Sequence, residues 1–140
     1  MAAAEESLVP LFDVVLSDEA IGAVEDTLRS GWLTLGPRTK AFEEAFAEHL
    51  GARHAIALSS CTAGLHLAYL AAGVGPGDEV IVPAITFVAT ANAARYCGAK
   101  PVLADILGPH DVGVDPADVE ARITPRTKAV CAVHFAGYGA

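Results

Sequence analysis

Apolar and polar positions divide this chain into a helical lead and an alternating body. Residues 1–16 carry no steady period and predict an irregular or extended arm. Ser17, followed by Asp18 and Glu19, reads as an N-cap with acids in the first turn. The helix so begun is predicted to run to about Arg29 and to stop at Gly31. The stretch "GWLTLGP" (31–37) reads as a loop, because Gly and Pro bracket its apolar residues. Over Thr39–Leu50, Phe42, Phe46 and Leu50 recur every four residues and predict a second helix, with Gly51 as its C-cap.

From His54 onward the pattern alternates. "HAIALS" (54–59) predicts a short buried strand, and "TAGLHLAYLAAG" (62–73) a helix closed by Gly73. "GPGDE" (75–79) is a turn and "VIVP" (80–83) a strand. A helix follows over "FVATANAARYCG" (87–98) and a strand over "KPVLADI" (100–106). "PADVEARI" (116–123) reads as a short helix and "KAVCAVHF" (128–135) as a last strand. Strand and helix alternating through short connections predict an α/β fold, a mostly parallel sheet with right-handed crossovers and flanking helices. The chain ends just after a strand with no helix to cover it, so a fragment of a longer chain is expected.

Composition narrows the functions open to such a fold. The 140 residues are 53% hydrophobic and 19% charged, which suits a folded domain with a core. Nine Lys and Arg against seventeen Asp and Glu give a net charge of -8. Nucleic-acid binding is therefore not expected, because phosphate backbones need a basic face. Cys61, Cys97 and Cys131 form no C-x-x-C pair, and the five histidines show no ligand spacing, so no metal is expected. The glutamates in "MAAAEESLVPLF" do not suit a signal peptide, and a cytoplasmic setting is expected. Residues 55–75 lack Asp, Glu, Lys and Arg, yet "SSCT" and Gly64 interrupt them, which argues against a membrane span. Buried parallel strands produce apolar runs of this kind.

The candidate chemistry lies in "SSCTAG" (59–64), small residues between a predicted strand and a predicted helix. In open α/β sheets, ligands bind beyond the carboxyl ends of the strands, where helix N-termini offer free N–H groups. Small side chains let an anion approach that backbone, so Cys61, Thr62 and Ala63 read as a phosphate cup to which Ser60 or Thr62 adds a hydroxyl. A simple Ser/Thr helix cap explains the same residues. Neither G-K-[ST] nor G-x-G-x-x-G is present. At the next strand end stand Pro83, Thr86 and Phe87. An aromatic there can stack on a flat heterocycle, or can be a core residue at a helix start.

Four stretches together carry a resemblance: "SGWLTLGPRTKAFEEAFA", "SSCTAGLHLAYLAAGVGPGDEVIVPAITFVATANA", "GAKPVLADI" and "ITPRTKAVCAVHFAGYGA". In order and spacing they resemble the DegT/DnrJ-type sugar aminotransferases, fold-type I enzymes that use pyridoxal 5'-phosphate (PLP). The resemblance implies the N-terminal part of an aspartate aminotransferase-like large domain. Residues 1–140 would supply its arm, its first helices and the first part of the PLP-binding domain. The rest of that domain and a C-terminal small domain would be absent. It implies that the amides of Cys61, Thr62 and Ala63 hold the PLP phosphate and that Phe87 stacks on the pyridine ring. It places Trp32, in "GWLTLGP", near the active site at a dimer interface as a substrate residue; a structural Trp packed under the arm is the alternative. The family usually has Gly or Asn in place of Cys61, which keeps the backbone N–H, and often Ala in place of Gly64. That glycine weakens the helix by up to about 1 kcal/mol.

The implied reaction moves an amino group from an amino acid, usually glutamate, to a keto-sugar carried on a nucleotide, in a homodimer. A lysine would hold PLP and move protons, and an aspartate would pair with the pyridine nitrogen. The chain has only Lys40, Lys100 and Lys128, one on a helix ahead of the sheet and two at strand entrances. The family's "SFxxxK"-type and "EDxA"-type segments do not occur here. The chain alone is therefore expected to be inactive, with both catalytic residues beyond position 140. A PLP-dependent dehydratase of the same fold, or a noncatalytic regulatory or partner-binding fragment, are the alternatives. A catalytic Cys61–His66 pair is disfavoured by its placement on one helix, and Asp105, ending "PVLA", reads as a turn or cap residue.

Overall fold

The computed structural model describes residues 13–140. Residues 1–12 of the expected arm lie outside the described residues, and 13–17 have no regular secondary structure. The chain divides into two units, one ending at Ala57 and the other spanning Leu58–Ala140.

The first unit carries α1 (Asp18–Ser30) and α2 (Pro37–Leu50). Ser17 caps α1 by accepting the Ala20 N–H at 3.1 Å. Gly31 and Gly51 end the two helices in the left-handed region, at φ 71° and 64°, where a side chain would be strained. The expected loop gives up Pro37 to α2, where proline stands at a position that needs no N–H.

The second unit contains α3 (Cys61–Ala71), β1 (Glu79–Pro83), α4 (Ala89–Tyr96) and β2 (Lys100–Ala104). It continues through β3 (Ile106–Gly108), β4 (Asp111–Val114), α5 (Pro116–Ala121) and β5 (Thr127–Val130). A single 3₁₀ turn spans Phe135–Gly137. The three long-range strands form a parallel sheet in the order β2-β1-β5. β1 is therefore central, and all five of its residues are buried. That is why "VIVP" is an unbroken apolar run: a parallel strand covered on both faces has no solvent side. Val80, Val82, Tyr69, Val74, Ala93, Ala94, Cys97 and Ala99 form the core cluster.

At the entrance end of the sheet, Glu79 ties the three strands together. It is buried, accepts from Thr124 Oγ1 and Arg126 Nη2 at 2.7 Å each, and lies 3.7 Å from Lys100 Nζ. The Thr124 hydroxyl, then the Arg126 guanidinium, hold its carboxyl below the usual carboxylate range.

Four expectations need correction. Residues 54–59 form no strand, and Ile56 is 77% exposed, because no described strand runs alongside to accept their hydrogen bonds. The helix expected from Phe87 begins at Ala89. The strand expected over 100–106 ends at Ala104, where Asp118 Oδ2 takes the Asp105 N–H at 2.6 Å; an antiparallel β3–β4 hairpin follows. The strand expected over 128–135 pairs only through Val130, after which Cys131 donates one further bond to Ile81 O at 2.9 Å.

Candidate functional site

Beyond the carboxyl ends of β1 and β5 lies a cavity of about 510 Å³. Three segments build it. The start of α3 supplies Cys61, Thr62 and Leu65; the segment after β1 supplies Thr86, Phe87, Ala89 and Thr90; the segment after β5 supplies Cys131 to Ala136.

α3 starts as the small residues predict. Ser60 has extended backbone, and its Oγ accepts the Ala63 N–H at 3.2 Å. The amides of Cys61 and Thr62 make no hydrogen bond among the described residues. Two donors thus remain at the positive end of an 11-residue helix, beside the cavity. Ala63 does not line the cavity, and its amide is occupied by the cap. Gly64 is not sterically required, since an added methyl would meet only Leu58 Cδ1 at 3.6 Å.

Phe87 stands at the entrance to α4 and is 75% exposed, so it is not a core residue. Its carbonyl accepts the Thr90 N–H at 3.0 Å. The hydroxyls of Thr86 and Thr90 lie 2.8 Å apart and pin the connection around it. Beneath them, buried Tyr69 donates to Thr90 O at 3.4 Å. Burial, then the neighbouring Cys131 thiol, push the Tyr69 phenol above its usual range, so it stays a donor. The third wall contains Ala136 at φ 52°, the single non-glycine residue in the left-handed region among those described. Such a conformation persists only where surrounding structure enforces it.

The structure thus gathers Cys61, Thr62 and Phe87 into one cavity. Trp32 belongs to the other unit. There it lines a separate cavity of about 500 Å³ with Thr27, Ser30, Thr34 and Arg38. Its Nε1 donates to Leu35 O at 2.9 Å. The ring lies so close over Gly36 that a Cβ there would sit 2.0 Å from Nε1. Asp105 joins β2 to β3, its carboxylate accepting the Ile106 N–H at 2.8 Å, and it does not line the cavity. His66 packs edge-on against Tyr96 with centroids 5.6 Å apart. None of the three lysines lines the sheet-end cavity. Lys40 pairs with Glu44 on α2, Lys100 opens β2 beside Glu79, and Lys128 lies near Gly73.

Sequence reasoning passed over Cys131, His134 and Ala136. A strand running to Phe135 hides the first two inside it; because β5 stops at Val130, all three fall beyond its carboxyl end, where ligands bind.

The donor set suits a phosphorylated, flat cofactor. No Asp or Glu lines the cavity to repel an anion, two amides are free at a helix start, and an exposed aromatic residue shares the lining. Among the described residues, no group of three or more acidic, His or Cys side chains is placed to hold a metal, and no helix is long and apolar enough to cross a membrane.

The DegT/DnrJ/EryC1/StrS aminotransferase family model matches residues 15–140. The chain is 51% identical over 123 residues to the spore coat polysaccharide biosynthesis protein SpsC of Bacillus subtilis, covering 88% of this chain and 31% of that protein. It is 47% identical over 129 residues to the UDP-4-amino-4-deoxy-L-arabinose–oxoglutarate aminotransferase of Shewanella sediminis, covering 92% and 33%. Among solved structures, Spr1654 of Streptococcus pneumoniae superposes with a TM-score of 0.85 at 36% identity, over 94% of this chain and 33% of that one. Spr1654 has been solved with PLP and in its PMP form. The 3-amino-5-hydroxybenzoic acid synthase superposes at 0.81 with 39% identity, over 95% and 35%. The chain thus spans about a third of the length of these relatives, and its α/β fold is that of PLP-dependent aminotransferases.

Proposed function

This chain belongs to the DegT/DnrJ/EryC1/StrS aminotransferase family, and from that premise we propose that the protein containing it transfers an amino group from glutamate to a nucleotide-linked keto-sugar. The observation that carries the reading is the meeting of the α3 start and Phe87 in one acid-free cavity at the sheet's carboxyl end. Relatives named for polysaccharide synthesis and for a UDP-sugar support the substrate class.

In this reading, PLP when bound supplies the electron sink for moving the amino group. The chain's own residues bind and orient it. The Cys61 and Thr62 amides hold the phosphate, and Ala63 adds a third if Ser60 releases it. Phe87 stacks on the ring and keeps water from that face. Thr86 and Thr90 fix the segment that presents Phe87. Lysine and aspartate chemistry is assigned to residues outside this chain, since its own three lysines stand elsewhere. The protein works as a cytoplasmic homodimer, with the exposed Trp32 loop contributing to the partner's substrate site; the 57% exposure of Trp32 supports this. Residues 1–140 then comprise the arm, the first helices and the first part of the large domain.

Proline at position 61 tests the phosphate site. Proline is accepted at the first position of a helix, and Ser60 before it is already extended. Cys61→Pro therefore removes one N–H with little cost to the fold, whereas Cys61→Ala keeps it. In the whole protein, Cys61→Pro is expected to lose PLP on dialysis and Cys61→Ala to retain it, read by absorbance. Equal retention by both variants overturns the phosphate assignment.

A further inference from the structure

One buried hydroxyl lies where the three segments that build the sheet-end cavity meet. Tyr69 stands on α3, about two turns beyond Cys61, and is 6% exposed. Its Oη donates to the Thr90 carbonyl at 3.4 Å. Thr90 belongs to α4 and is itself buried, and its hydroxyl lies 2.8 Å from that of Thr86, the residue before Phe87. Cys131, in the segment after β5, neighbours the same phenol. Its thiol directs its own proton to Ala132 O at 3.8 Å, which leaves the sulfur as an acceptor.

Packing accounts for the Tyr69 ring and not for its hydroxyl. The ring fills the core with Val74, Val80, Val82 and Ala94, a place that phenylalanine fills as well. A buried hydroxyl costs desolvation unless it is bonded, and this one is bonded to another element and not within its own helix. Resting on the cofactor reading above, the groups assigned to PLP come from two elements. The free amides stand at the start of α3, and Phe87 stands at the entrance to α4. Their spacing depends on how α3 sits against α4. We infer that Tyr69 is a positioning residue: its hydroxyl locks α3 to α4 and so holds the phosphate-binding amides and Phe87 at the spacing that one PLP molecule spans. Tyr69 does not line the cavity, so it acts through Thr90.

The test uses the whole apoprotein, titrated with PLP and with inorganic phosphate. Phosphate engages the α3 amides alone, whereas PLP needs both elements at once. Tyr69→Phe keeps the ring and removes the hydroxyl. It is expected to weaken PLP binding about fivefold, the net worth of one hydrogen bond, and to change the circular dichroism of the bound cofactor. Its affinity for phosphate is expected to stay that of wild type. In a Phe87→Ala background there is no ring left to place, so Tyr69→Phe is expected to add no further loss of PLP affinity. Should Tyr69→Phe misfold, 3-fluorotyrosine placed at position 69 answers instead: its ¹⁹F resonance is expected to move with PLP and not with phosphate, and a resonance indifferent to PLP overturns the role. Equal losses for PLP and phosphate overturn it in favour of a core residue that merely supports α3. Unchanged PLP affinity, or full additivity with Phe87→Ala, overturns it outright. Cys61→Pro in the same titration separates the two readings. If Cys61→Pro loses PLP while Tyr69→Phe does not, the cofactor site stands and only the Tyr69 role falls.

Discussion

At the residue scale, single groups matter here through what their surroundings leave free. Phe87 is exposed at a helix entrance where a heterocycle would complete its burial. Phe87→Ala in the whole protein is expected to weaken PLP binding by about 1–3 kcal/mol, from lost apolar contact and stacking. Its melting temperature without cofactor should stay close to wild type, because the ring packs on little in the apoprotein. A titration showing unaltered PLP affinity would sink the stacking role. Cys61 and Thr62 illustrate the same logic for the backbone: Ser60 caps one amide and leaves two. Sequence alone located this junction, because Ser followed by small residues is a local signal. It did not separate the capped Ala63 from its free neighbours, since that depends on the Ser60 rotamer.

At the element scale, the parallel sheet carries a buried carboxylate at one end and a cavity at the other. Glu79 accepts from groups preceding β5 and lies beside the first residue of β2. Its folded-state pKa is depressed, so its contribution is present above the unfolded value of about 4.3 and is lost as pH falls through the lower folded value. Glu79→Gln is expected to lower the melting temperature at neutral pH. The gap to wild type should narrow as pH falls below about 4. A gap that stays constant from pH 7 to pH 3 would mean that the glutamate contributes by shape and not by charge. The β3–β4 hairpin was not legible in the same way. Asp118 takes the Asp105 N–H and stops β2 there, and a carboxylate thirteen residues downstream leaves no trace in a periodicity.

On the scale of the whole molecule, a family of enzymes three times this length supplies the context. None of the three lysines is among the cavity's lining residues, and Lys100 and Lys128 stand at the entrances of β2 and β5, so residues 1–140 by themselves are expected to give no reduced pyridoxyl-lysine when incubated with PLP and borohydride. Mass spectrometry of the digest checks this, with the whole protein as the positive control. A stoichiometric adduct on Lys40, Lys100 or Lys128 would relocate the catalytic lysine. The same segment exposes Ile21, Val24, Leu28, Ile56 and Leu103, and is expected to aggregate above the concentration at which the whole protein remains dispersed.

The sequence by itself determined the Ser17 and Ser60 caps, the glycine stops at Gly31 and Gly51, and the α/β alternation from Glu79 onward. Each rests on interactions between near neighbours: a serine cap, a glycine at positive φ, an apolar run too continuous for a solvent face. Tertiary structure alone decided which predicted strands found partners. Residues 54–59 have the composition of a strand and lack one, whereas Glu79–Pro83 has an edge on each side. Hydrogen bonds of a parallel ladder come from residues tens of positions away, so composition can make a strand possible without making it form. The strand order β2-β1-β5 brought Cys131 and His134 beside Thr86 and Phe87 for the same reason. Forty-odd residues separate these groups in the chain, and only the pairing of β5 against β1 puts them on one cavity wall.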